Sequence, residues 1–99
     1  MTTRTLEWKV RILLSEEDGT TKAQAVLDTG TTRMTGHGTA HRNPQDVDVP
    51  EIGDELAAAR AMHSLTRQLM KAADRDLEAV GADNGDPPGT GYGWPYTTP

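Results

Sequence analysis

Between Leu6 and Leu14 apolar and polar residues alternate. Leu6, Trp8, Val10, Ile12 and Leu14 fall on one side and Glu7, Lys9 and Arg11 on the other, with Leu13 alone out of step. Period two over this length predicts a half-buried strand. Ser15 to Thr20, SEEDGT, reads as a turn with Asp-Gly near its tip. Thr21 to Asp28 predicts a second strand with Ala23, Ala25 and Leu27 inward. Setting Ile12 opposite Ala23 and Trp8 opposite Leu27 keeps both apolar sets on one face, and the small alanines leave room for the indole. Thr29 to Thr32, containing Gly30, is a second tight connection. Arg33 to Arg42 predicts a third strand, with Met34, Gly36, Gly38 and Ala40 inward and Thr35, His37, Thr39 and His41 outward. Glycine weakens a strand, so a pair of them implies that something approaches closely, most simply a helix backbone.

Asn43 to Val49 is a Pro-containing, acidic crossover, and from Pro50 to Val80 the period changes. Ile52, Leu56, Ala59, Met62, Leu65, Leu69, Ala73, Leu77 and Val80 recur at steps of three and four, one apolar stripe of a helix. Pro50 suits the first turn. Asp46, Asp48, Glu51, Asp54 and Glu55 crowd the end where the macrodipole favours negative charge. Gly81 fits a left-handed cap at the other end. Gly53 is the weak point, which puts the start of regular helix as late as Asp54. The predicted fold class is α+β: a three-stranded antiparallel meander followed by one long helix packed on one face. A nine-residue strand spans ~30 Å and a 31-residue helix ~46 Å, so the helix is expected to overhang the sheet. Leu69, Leu77 and Val80 lie on that overhang, and a second copy of the chain is the simplest cover. A homodimer is therefore expected, with those residues at its interface.

Composition divides the chain. Residues 1–81 carry the predicted elements as a single domain. The 18 residues from Ala82 to Pro99 include four Gly and four Pro, the composition of a flexible, disordered tail. Tyr92, Trp94 and Tyr96 within it are a candidate docking motif. There are no cysteines, which removes disulfides and thiolate metal sites. No stretch reads as a signal peptide or membrane span, so the expected location is the cytoplasm. Net charge is −5. Residues 1–43 hold six bases against five acids, and residues 44–86 four bases against ten acids. An acidic chain does not coat nucleic acid by charge alone.

Little in the chain points to catalysis. Ser15 and Ser64 are the only serines, and neither has a recognisable base. His37 and His41 stand ~13 Å apart along a strand, too far to share one zinc ion with ligands at ~2.0–2.3 Å. DVDVPE departs from a calcium loop, because Glu51 stands where the turn needs glycine. The glycines of GTGYG have no strand before them and no helix after, as a phosphate loop requires. The expectation is a non-enzyme with no cofactor and no metal. The outer sheet face is different: Lys9, Arg11, Lys22, Arg33, His37 and His41 share it, a candidate phosphate-binding surface without aromatics to stack bases. Helix residues Arg60, Arg67, Lys71 and Arg75 extend the basic set, interspersed with acids.

Arg42-Asn43-Pro44 followed by Val49-Pro50-Glu51-Ile52-Gly53-Asp54-Glu55-Leu56-Ala57 and Ala59-Arg60-Ala61 resembles a family of small actinobacterial proteins of unknown function, over Leu6 to Val80. The resemblance implies a dimeric β-β-β-α unit similar to the double-stranded-RNA-binding domain. It also implies a link to the mycobacterial dormancy response and to ribosome hibernation-promoting factors. Two features depart from RNA-binding relatives. No helix precedes the strands, and the helix start carries Glu51, Asp54 and Glu55 where lysines would meet phosphates. The expected function is that of a dimeric, stress-associated binding protein acting on the ribosome or rRNA; the alternative is a protein–protein interaction module with no nucleic-acid contact.

Overall fold

The computed structural model of the chain describes residues 2–81. Three strands, β1 (Lys9–Glu17), β2 (Thr20–Asp28) and β3 (Arg33–His41), precede one helix, α1 (Pro50–Ala79). The strands form an antiparallel sheet in the order β1-β2-β3, as the alternation predicts.

Only Asp18 and Gly19 separate β1 from β2, with φ of 52° and 77°. Two successive residues at positive φ make the mirror-image turn that matches the twist of a hairpin. This turn pins the register. Glu17 faces Thr20, and hence Ile12 faces Ala25 and Val10 faces Leu27, two residues away from the alignment expected from the sequence. A shift of two leaves every side chain on its own face, so Val10, Ile12 and Leu14 do share a face with Ala23, Ala25 and Leu27. Trp8 falls before the strand and is half exposed rather than packed over Leu27. At the other hairpin Asp28 faces Arg33. Its loop is closed by Thr29, which donates its backbone N–H to the Thr32 carbonyl at 3.0 Å.

The helix lies over β2 and β3, at backbone contact distance. A Cβ placed on Gly38 would strike the Ala57 carbonyl oxygen and the Ala61 amide nitrogen, and one on Gly36 would sit 2.6 Å from the Leu65 amide nitrogen. Close approach is thus why β3 tolerates two glycines. Gly53 belongs to the same seam: a Cβ there would lie 2.9 Å from the buried Thr21 hydroxyl. The helix accordingly starts at Pro50 and runs unbroken through Gly53, earlier than its composition implied. Ala57, Ala61 and Leu65 are its buried residues, and Ala57 and Ala61 are 0% exposed.

The buried line shares only Leu65 with the predicted stripe. Ile52, Leu56 and Met62 stay exposed, while Ala57 and Ala61 sit where the helix backbone meets Gly38 and Gly36. Leu69 packs against the core of its own chain instead of standing clear of it. The largest departure is β1: all nine of its residues are exposed, including Val10, Ile12 and Leu14 on the inner face.

The chain divides between Leu69 and Met70 into two units. In the second, α1 continues to Ala79, Met70 and Val80 are exposed, and Leu77 is half-buried. Gly81 adopts φ 85° and donates its N–H to the Glu78 carbonyl at 3.0 Å, the predicted left-handed cap. Among the described residues no helix is long and apolar enough to cross a membrane. The predicted tail motif of Tyr92, Trp94 and Tyr96 lies outside the described residues.

Candidate functional site

The ladder fixes which side chains share the outer face. Lys9, Asp28 and Arg33 form one row across the sheet, and Arg11, Val26 and Thr35 the next. Leu13, Gln24 and His37 make the middle row, Ser15, Lys22 and Thr39 follow, and Glu17, Thr20 and His41 close the far end. All six basic residues expected on this face occupy it, but unevenly. Lys9, Arg11 and Arg33 gather at the end held by the Thr29–Thr32 loop, while His41 stands at the opposite end, across Thr20 from Glu17.

Asp28 organises the basic end. Its Oδ1 accepts the Gly30 backbone N–H at 2.8 Å, and its Oδ2 lies 3.5 Å from Arg33 Nη2. The Gly30 amide, then the guanidinium of Arg33 and the charge of Lys9, hold its carboxyl below the ordinary 3.8. The carboxylate thereby spreads two cations across one row instead of letting them repel. At the far end His41 Nδ1 and Thr20 Oγ1 are 3.0 Å apart. His37 is exposed on the middle row. Among the described residues no three His, Cys, Asp or Glu side chains are grouped to hold a metal ion.

Arg60, expected to extend the basic surface, is engaged elsewhere. Its Nη1 donates to the Thr39 carbonyl oxygen at 2.8 Å, and Gln68 Nε2 donates to the Thr35 carbonyl at 2.6 Å. Both acceptors lie on the free edge of β3, which the helix therefore covers. Sequence pattern could not reveal this role, because an exposed Arg and Gln on a helix look like ordinary solvated residues. Their spacing of eight, matched to a Thr-x-x-x-Thr on the strand, is the one available sign.

A cleft of about 360 Å³ opens where the β1–β2 turn, the crossover and the first turns of α1 meet. Its walls include Glu16, His41, Arg42, Asp48, Ile52 and Leu56. Arg42 reaches Asp48 at 3.7 Å and donates to the Asp46 carbonyl at 3.4 Å, so this guanidinium ties the crossover in place.

Residues 6–85 match the profile of the Rv2632c-like family. The chain belongs to the Rv2632c-like family. Among its relatives are the uncharacterized protein Mb1767 of Mycobacterium bovis, 44% identical over 73 residues that make up 74% of this chain and 78% of that protein, and Rv2632c of Mycobacterium tuberculosis, 41% identical over 71 residues, 72% of this chain and 76% of that one. The crystal structure of Rv2632c superposes with a TM-score of 0.71 at 37% identity, covering 82% of this chain and 94% of that one. The Rv2632c-like fold thus includes the β-β-β-α core described above.

Proposed function

We propose that this Rv2632c-like protein is a non-enzymatic, cytoplasmic homodimer that serves stress or dormancy by binding the ribosome through its outer sheet face. The observation that carries this reading is the gathering of Lys9, Arg11 and Arg33 near Asp28 on a largely polar face, continued by Lys22 and His37. Such a face suits phosphates. Without aromatics to stack bases it reads backbone and shape, in the manner of proteins that hold double-stranded RNA. The exposed apolar residues of β1 supply surface for the second copy. Sucrose-gradient sedimentation of tagged protein from starved cells tests the reading. Co-migration with ribosomal fractions at low salt, lost as salt rises, is expected. Absence from every ribosomal fraction at low salt overturns it.

A second reading is a protein-interaction module without nucleic-acid contact. The net charge of −5 and the acidic helix start at Glu51, Asp54 and Glu55 favour it. Mass spectrometry of co-purified material from the same gradients separates the two.

A further inference from the structure

We propose that two copies of this chain join edge to edge through β1, antiparallel and centred on Leu13, so that one six-stranded sheet runs through the pair. This rests on the homodimer reading above and names its surface.

The two margins of the sheet are not equivalent. Along β3 the outward carbonyls of Thr35 and Thr39 are occupied by Gln68 and Arg60. β1 is the other margin, and among the described residues no helix covers it: every residue of β1 is exposed. A long, open, apolar edge strand is a template for another strand.

The occupant follows from the sequence of β1, KVRILLSEE. It is basic at its start and acidic at its end, the pattern that an antiparallel copy of itself complements. The outward carbonyls of β3 are on odd-numbered residues, so alternation across the ladder places the free N–H and C=O groups of β1 on even-numbered ones. Pairing even with even also keeps inner face beside inner face. Of the registers that meet this condition, the one centred on Leu13 uses the whole strand. It sets Lys9 opposite Glu17 of the second copy, twice by symmetry, and Ile12 opposite Leu14.

That register also accounts for Leu13. It is the only apolar residue of β1 on the polar outer face, and it is 47% exposed. At the centre of the pair it meets its own copy across a non-hydrogen-bonded position, with Cα atoms ~4.5 Å apart. On the inner face Val10, Ile12 and Leu14 of both copies merge into one strip flanked by the two helices. With Leu6 and Trp8, five large apolar side chains of each copy, 37–65% exposed in the single chain, lie along or next to this strip.

The test uses the full chain, which has no cysteine. Leu13→Cys places two cysteines with Cα atoms ~4.5 Å apart, inside the ~4.4–6.8 Å range of disulfide-bonded pairs. Mild oxidation is expected to convert it to a covalent dimer with unchanged circular dichroism. Lys9→Glu and Glu17→Lys should each weaken self-association by roughly ten-fold, since two cross-strand pairs turn repulsive. The double variant, or a mixture of the two single variants, should restore it, because each restores Glu–Lys pairs. If the wild type is a dimer by light scattering, yet Leu13→Cys stays uncrosslinked and the charge variants associate normally, the β1 pairing is wrong and the homodimer reading stands. A wild type that stays at 10.7 kDa at tens of micromolar overturns both.

Discussion

Gln68 on the helix donates from Nε2 to the backbone carbonyl oxygen of Thr35 on β3, across 2.6 Å. Arg60 repeats the contact on Thr39. Eight helical residues rise ~12 Å and four strand residues ~13 Å, so the two contacts recur in step along the seam. The helix does more than cover a face: it closes one margin of the sheet with side-chain donors. Arg60→Ala with Gln68→Ala should cost about 1 kcal/mol for each hydrogen bond, read as a lower urea midpoint. Uncovering the β3 edge should also produce self-association that grows with concentration, visible by light scattering.

Gly38→Ala should destabilise by about 1–3 kcal/mol, the range for overpacking, because the added methyl meets the backbone of Ala57 and Ala61 rather than a side chain that can turn away. Gly30→Ala is the comparison. Nothing lies within 4 Å of a Cβ there, and only its φ of 94° opposes the change. The expected cost is ~1 kcal/mol of backbone strain. Equilibrium urea unfolding of both variants distinguishes contact from conformation.

Asp28 gives the fold an acid-sensitive contact. Its carboxyl titrates below the ordinary 3.8, held down first by the Gly30 amide and then by Arg33 and Lys9. A carboxylate with a depressed folded-state pKa stabilises above its unfolded value, and the contribution is lost as pH falls through the folded one. Asp28→Asn should therefore lower stability at neutral pH and flatten its decline below about pH 4. Denaturant midpoints measured from pH 7 to pH 2 check both halves of this statement.

Lys22→Glu with Arg33→Glu should abolish RNA binding while leaving the oligomeric state intact, since neither residue is on β1 itself. Each is exposed and should alter stability by less than about 0.5 kcal/mol. Filter binding to rRNA fragments across a salt series is the measurement, with a log–log slope that falls in the double variant.

The strands, their order and their inner and outer sets were legible because alternation survives any even shift of register. The register itself was not. It depends on whether SEEDGT turns over two residues or more, which the positive φ of Asp18 and Gly19 decides. The glycines of β3 pointed correctly to a close helix, but the helical stripe misled. Hydrophobic periodicity weighs Ile52, Leu56 and Met62 heavily and Gly53, Ala57 and Ala61 lightly, whereas a helix seated on glycine needs the light ones. The length mismatch between helix and sheet directed attention to Leu69, Leu77 and Val80. The larger exposed surface is β1, and its exposure follows from the lateral position of the helix, which no one-dimensional pattern contains. The shared face of Lys9, Arg11, Lys22, Arg33, His37 and His41 was legible from parity alone; the ordering of Lys9 and Arg33 around Asp28 needed the second hairpin.

Among the described residues the core is assembled mainly from alanine, with Leu27 and Leu65, and no large side chain within it is fully buried. Heat capacity on unfolding rises with newly hydrated apolar surface and falls with newly hydrated peptide groups. A single copy melting from such a core should show a heat-capacity increment below the usual ~12–15 cal/mol/K per residue. Its stability then changes little with temperature between the freezing point and the growth range, and cold leaves it nearly untouched. If two copies join through β1 as proposed, that pairing would add the missing apolar term, and the curvature of the melting dome would grow with protein concentration.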